Sequence, residues 1–303
     1  MSARERGFRI ARFEETSGYG AIDAASLGPL DRWTVCPAHD RPLAAAAVLV
    51  GHGGSEQITI GACPVCGYTA YVDRPSAAWF AAYYRESWDA ASGRLAALDA
   101  EVEAARAHVA AHGLGPRHEV VEIAESLGLD RTRPVLDIGC GYGRTLAQLR
   151  QAGFVRPAGL EGSTLRARVA AATHDLPVAS GPFEDPAVQQ ALEPAAPYGF
   201  IFIYHVLEHT HDPNQIVGMA ARLQEPGDRL LVATPNVRGE SSMGVLFFLP
   251  HLHSFSAGTL ADMMARHGYD EIDTSRSTDE ALVVIGRRAG TGAGRPRARD
   301  GAA

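Results

Sequence analysis

Four short stretches of the chain carry residue types that do chemistry, at spacings that chemistry needs. Cys36-Pro-Ala-His39 and Cys63-Pro-Val-Cys66-Gly67 are two turns of the form C-x-x-ligand, with 23 residues between His39 and Cys63. Each turn aims two soft or borderline donors at one point, and four such donors make a closed tetrahedral site of the kind that holds structural zinc. His52, in GHGG, is the alternative to His39 as fourth ligand. Gly67 permits the tight backbone after the last thiolate. VLDIGCGYGRT at 135–145 is an apolar strand that ends in Asp137 and runs into Gly139, Gly141 and Gly143. YHVLEHTHDP at 204–213 groups His205, Glu208, His209 and His211, and FLPHLHSFS at 248–256 adds His251 and His253. Histidines and a carboxylate tuned near neutrality can remove a proton from a hydroxyl, an amine or a carbon acid beside a carbonyl.

The glycine loop has a definite preference among ligands. Dinucleotide-binding folds want G-x-G-x-x-G, but the position three after Gly141 is Arg144, so that spacing fails and D-x-G-x-G-x-G remains. Asp137 repels a pyrophosphate and welcomes an ammonium group. Glu161 follows Gly139 by 22 residues, at the end of the apolar segment PAGLEG, where a carboxylate can accept both hydroxyls of a ribose. Two acids and a glycine loop fit one adenosyl ligand with a cationic amino-acid arm.

These groups need a scaffold, and the hydrophobic pattern outlines one. After Arg133, short apolar runs (PVLDIG, PAGLEG, FIFIYHV, DRLLVATP, EALVVIG) alternate with amphipathic stretches, which predicts an α/β domain over 133–288 with a seven-stranded, mostly parallel sheet. Residues 1–75 read as a lead-in followed by the compact Cys/His module, 76–132 as linking helices, and 289–303 as a disordered tail without periodicity. Both histidine groups follow strands, so they are expected to face one crevice beyond the strands' carboxyl ends.

The loop, Glu161, SGPFED at 180–185 and YHVLEHTHDP together resemble the class I S-adenosylmethionine-dependent methyltransferases, over essentially all of 133–288. The resemblance implies a Rossmann-like fold with S-adenosyl-L-methionine as cofactor. By carry-over, Asp137, Gly139, Cys140 and Gly141 line the methionyl part, with Cys140 a small buried spacer. Glu161 and Gly162 hold the ribose, Phe183 and Glu184 the adenine edge, and His205 stands at the methyl end. HLHSFSAGTL is similar to the closing region of deoxysugar C-methyltransferases, where a histidine preceded by an acid has base duty. Here Pro250 stands before His251, so the acid is missing. Glu208 and His209 match the LEH motif of ubiquinone-type O-methyltransferases, which can lie near a divalent ion. CPVCGYTAYVDRPSAAWFAAYYRESW resembles the zinc modules that precede many such domains, with His39 in place of a second cysteine; Tyr83, Tyr84 and Trp88 are then candidates to cover cofactor or substrate.

Composition narrows the field further. The chain has no lysine, so all 28 basic side chains are arginine, which excludes enzyme Schiff bases, pyridoxal phosphate anchoring, Walker A loops and kinase ATP sites. A net charge of −7 argues against nucleic-acid binding, and no apolar run is long enough to span a membrane. Without an apolar leader, the expected location is the cytoplasm. The expected activity is methyl transfer to an O, C or N atom of a small-molecule or carrier-bound metabolite. An RNA or protein methyltransferase and a non-catalytic cofactor-binding partner are the alternatives; oligomeric state is left open.

Overall fold

The computed structural model describes residues 9–12, 30–50, 57–84, 97–236 and 250–290. Its strands are β1 (Arg9–Arg12), β2 (Leu30–Arg32), β3 (Ala44–Val50), β4 (Gln57–Ala62), β5 (Thr69–Tyr71), β6 (Asp73–Pro75), β7 (Val135–Ile138), β8 (Pro157–Glu161), β9 (Val178–Ser180), β10 (Phe200–Tyr204), β11 (Arg229–Pro235), β12 (His253–Ser254), β13 (Tyr269–Asp273) and β14 (Ala281–Arg288). Its helices are α1 (Ala77–Tyr84), α2 (Leu98–His112), α3 (Glu119–Ser126), α4 (Arg144–Gln151), α5 (Thr164–His174), α6 (Pro186–Gln190), α7 (Pro213–Arg222) and α8 (Ala257–Arg266). His52, Trp88 and the tail beyond residue 290 lie outside the described residues, as do the side chains of Tyr83 and Tyr84. Among the described residues no helix is long and apolar enough to cross a membrane.

The expected sheet is present, with seven strands in the order β13-β14-β11-β10-β7-β8-β9. The five strands from β11 to β9 pair in parallel, and β14 and β13 close the edge antiparallel. The near-continuous apolar runs of β7, β10 and β11 follow from burial on both faces. Successive residues point to opposite sides. Leu136, Ile201, Ile203, Leu230, Val232 and Val284 enter the core under α7 and α8, whereas Val135, Phe200, Phe202, Leu231, Val283 and Ile285 pack with α3 and α4. Helix starts carry local caps: Ser163, Asp185, Asp212 and Ser256 each accept a backbone N–H of the following turn, the middle two ahead of a proline. Within the predicted linking segment, α2 packs on α5 through Val102, Leu165 and Val169.

The N-terminal module is not a separate body. Its sheet, ordered β1-β3-β4-β5-β12, takes its last strand from residues 253–254 of the large domain, so the module extends beyond the contiguous 1–75 read from the sequence. Cys36, Ala38, Cys63, Tyr68 and Ala70 share one apolar core with α7 and α8. Polar groups buried at the seam are paired in series. Trp33 Nε1 donates to the Tyr68 hydroxyl (2.9 Å), that hydroxyl donates to His253 Nδ1, and His253 Nε2 donates to the Thr210 carbonyl (3.0 Å). Arg74, only 2% exposed, lies over the Trp33 ring and donates to the His211 carbonyl (2.6 Å), with the His211 ring nitrogen Nδ1 3.1 Å from the same guanidinium nitrogen.

Hydrogen bonds to a buried charged group are worth about 1.5–3 kcal/mol. Arg74→Ala is therefore expected to lower unfolding free energy by about 2–3 kcal/mol, measured by urea denaturation; an unchanged midpoint would show that the seam does not need this residue.

Candidate functional site

The central strand β7 delivers Asp137 to its carboxyl end, and the chain then turns through three left-handed glycines, Gly139 (φ 87°), Gly141 (φ 55°) and Gly143 (φ 75°). A side chain at Gly139 would run into Val206, so the loop and the segment after β10 approach closely. Above Gly141 the space is open. Cys140 turns its thiol the other way, against Gly159 in the core, in keeping with a spacer. Burial, and after it the neighbouring Glu161 carboxylate, push the Asp137 carboxyl well above its ordinary value. Glu161 is almost buried and is held from both sides: Gly141 N–H donates to one oxygen (2.8 Å) and Ser163 N–H to the other (2.9 Å). The acid at the end of β8 thus organises the glycine loop, and each of its oxygens keeps a second lone pair. Ser163, which sequence reasoning did not single out, belongs to this cradle.

A Cβ added at Gly162 would lie 3.7 Å from the Phe183 ring, so these two expected cofactor residues adjoin each other. Glu184 has a different contact from the one expected of it. Its carboxylate accepts the His211 N–H (2.8 Å) and so ties the segment after β9 to the segment after β10.

The turn Leu207–His209 after β10 brings the second group together. His205 takes a left-handed backbone (φ 53°), its ring packs edge-on against Tyr204, and its Nδ1 lies 3.5 Å from Glu208. Glu208 is 2% exposed, and neither of its oxygens has a well-formed hydrogen bond among the described residues. Burial pushes its carboxyl up, but the polar contact with His205 and the charges of His209 and His251 more than reverse this and hold it below its ordinary value. His209 Nδ1 donates to the Pro250 carbonyl (3.0 Å), which leaves the Nε2 lone pair directed to Glu208 at 3.8 Å. The His251 ring meets the His209 ring edge-on, with centroids 4.6 Å apart. Glu208, His209 and His251 each offer a ligand atom within 4.8 Å of the others'. Position 250 is proline, but a carboxylate, Glu208, stands near His251 in space from a different loop.

His253 does not belong to this group, and the expectation of base duty for it is corrected. It is 1% exposed, both ring nitrogens are engaged at the seam, and burial with the nearby Arg74 charge holds it well below 6.5. A base needs access to a substrate proton, which this ring lacks.

The four expected metal-binding residues converge. Cys36, His39, Cys63 and Cys66 each place one donor atom within 4.8 Å of the others'. The two turns close identically: the N–H of the fourth residue on returns to the first cysteine's carbonyl, from Asp40 to Cys36 and from Gly67 to Cys63, both at 3.0 Å. Both of those residues are left-handed, at φ 51° and 71°. Cys36 and Cys66 sulfurs lie 3.8 Å apart, and this contact pulls the Cys66 thiol down and, with burial, pushes the Cys36 thiol up.

An open parallel α/β sheet with a glycine loop and acids at the carboxyl ends of its central strands defines a nucleotide-type ligand site. A family model described as "Methyltransferase domain" matches residues 109–274, more than half of the chain, and the chain belongs to that family. It is 33% identical over 104 residues to the ubiquinone biosynthesis O-methyltransferases of Caulobacter sp. (strain K31) and Caulobacter vibrioides. That match covers 34% of this chain, and the chain spans 40% of the length of those curated relatives. Among solved structures it is similar to an O-methyltransferase family protein from Burkholderia thailandensis (21% identity, 69% of this chain and 63% of that one, TM-score 0.46). It is also similar to the magnesium protoporphyrin IX methyltransferase of Synechocystis PCC 6803 with bound SAH (16% identity, 56% and 81%, TM-score 0.43). S-adenosylmethionine is the cofactor of this family.

One buried and two half-buried histidines set a pH dependence. His209, His211 and His253 are all held below 6.5, chiefly by burial, so the unfolded chain binds more protons than the folded one once pH falls below that value. Their contribution is intact above 6.5 and is lost as pH falls toward the folded values. The urea midpoint should therefore drop between about pH 7 and about pH 5. His253→Gln, which can still accept from Tyr68 and donate to Thr210, should flatten the decline; an unaltered slope would count against His253 as a source.

Proposed function

We propose that this protein transfers a methyl group from S-adenosylmethionine to an oxygen, carbon or nitrogen atom of a small-molecule or carrier-bound metabolite. The observation that carries the reading is the cradle formed by Asp137, the left-handed Gly139 and Gly141, and Glu161, open above Gly141 and lined with acid. It fits the cofactor: Asp137 would take the ammonium, Glu161 the ribose hydroxyls, and Phe183 beside Gly162 the adenine. When bound, the cofactor supplies an activated methyl group on a sulfonium. The chain itself contributes alignment and exclusion of water. His209 and His251 are the proposed bases for a protonated acceptor. The Pro250 carbonyl orients His209, and the nearby Glu208 carboxylate would stabilise an imidazolium that forms on either ring.

A second use of that group rests on the two buried Glu208 oxygens, which have no well-formed hydrogen bond among the described residues: a divalent cation held by Glu208, His209 and His251, whose ligand atoms lie within 4.8 Å of one another, would satisfy that carboxylate. Metal titration of the purified chain separates the two readings, since only the second leaves a His209→Ala variant with less bound metal.

We assign the Cys36, His39, Cys63, Cys66 cluster to structural zinc. Four soft or borderline donors within one coordination radius, on two turns of equal geometry, fit a closed tetrahedral ion. Such a site holds fold, not reaction.

Isothermal titration with S-adenosylhomocysteine tests the cofactor reading. Wild type should bind with micromolar affinity and carry one zinc per chain. Asp137→Ala and Glu161→Ala should each weaken binding by roughly 10- to 100-fold or more; retained affinity would overturn the site. Cys63→Ser should purify without zinc and with a lower melting temperature. With a substrate in hand, loss of the base should cost about 10²- to 10⁴-fold in kcat, and turnover intact in both His209→Ala and His251→Ala would remove both residues from that role.

A further inference from the structure

One stripe of α8, with its capping residue, faces the Cys/His cluster. Ser256, Thr259, Asp262 and Arg266 recur at three and four residues and so lie on one side of the helix. Three of them, Ser256, Asp262 and Arg266, have partners in the two metal-binding turns. Asp262 Oδ2 lies 3.1 Å from His39 Nε2, while the other nitrogen of that ring, Nδ1, faces the Cys36 sulfur at 3.6 Å. Ser256 Oγ donates to the Cys66 carbonyl (3.3 Å), and the buried Thr259 hydroxyl lies 2.8 Å from that same Oγ. Arg266 donates to the Ala38 carbonyl (2.8 Å) and to Asp40 (2.6 Å). From α7, Asn214 donates to the Pro37 carbonyl (3.2 Å).

This is the arrangement of a metal-ligating histidine whose second nitrogen donates to a carboxylate, which fixes the tautomer and aims the ligating lone pair. The carboxylate is supplied by the methyltransferase domain, 223 residues further along the chain. Asp262 is 58% exposed, so its charge is screened by water and its effect is chiefly orientation of the ring.

We propose that the metal site is completed across the boundary between the two modules, with Asp262 the positioning residue that presents His39 Nδ1 to the ion. The inference rests on the zinc reading above. Its consequence is linkage: whatever tightens the ion's hold on the Cys36–His39 turn tightens the docking of that turn on α8 by the same free energy, and the reverse. Zinc occupancy would then report whether the module is seated beside the histidine loops.

The test uses the full chain, loaded with zinc for release to the chelator 4-(2-pyridylazo)resorcinol and with cobalt(II) for absorption spectra. Asp262→Ala should lose zinc about 10- to 100-fold faster than wild type, and Asp262→Asn, which keeps an acceptor oxygen, should recover most of that loss. Arg266→Ala loosens the same turn without touching His39. Asp262→Ala should shift the cobalt ligand-field bands, and Arg266→Ala should leave them in place. A zinc-bound Asp262→Ala protein with wild-type release and wild-type bands would overturn this proposal alone, as would equal band shifts in both variants. A wild-type chain that neither carries zinc nor takes up cobalt would overturn the zinc reading and this one with it.

Discussion

The hydrogen-bond series from Trp33 through Tyr68 and His253 to the Thr210 carbonyl is the constraint on which the rest of the structure hangs. A phenol and an imidazole buried together cost several kcal/mol unless each polar atom finds a partner. Here the partners come from four segments: the strand approach at 33, the edge of β5, the strand β12 and the loop after β10. The series is satisfied only when all four meet. It therefore selects one placement of the N-terminal module, in which β5 pairs with β12 and Tyr71 N–H reaches the Leu252 carbonyl. The loop bearing His251 is thereby anchored at Leu252 and His253, and the His251 ring meets His209.

A chain without lysine uses arginine for its internal joints, and the geometry shows why that suffices. Arg74 spans two elements with one planar fork while its face lies on Trp33. Arg133 closes a salt bridge on the buried Asp228, and Arg266 bridges a carbonyl and a carboxylate of the Cys36–Asp40 turn. A guanidinium keeps its charge when buried and offers several fixed donors, so one residue can join parts an ammonium would link at a single point. Even so, burial draws Arg74 down to about 10.

His251 and His253 show how little distance in sequence says about role. Two residues apart, one stands in a cluster with Glu208 and His209, and the other is locked in the seam between modules. The motif comparison alone also misleads about the acid. Pro250 breaks the adjacent acid–histidine pair, yet Glu208 is close enough to His251 to lower its own carboxyl pKa through that neighbour.

What the sequence determined by itself rests on short-range rules. Glycines at 139, 141 and 143 take positive φ because the turn after β7 demands it, the Cys turns close on Asp40 and Gly67, caps and prolines begin the helices, and near-continuous apolar runs make strands buried on both faces. Each needs only a few neighbouring residues, so each is legible in a string. The tertiary structure alone decided what depends on contact between distant segments: that residues 253–254 complete the module's sheet, that Glu184 caps His211, that His253 is structural, and that Asp262 meets His39. No local pattern marks Asp262 or Arg74, because a lone acid in a helix and a lone arginine in a short strand look like solvated surface until packing brings a partner to them.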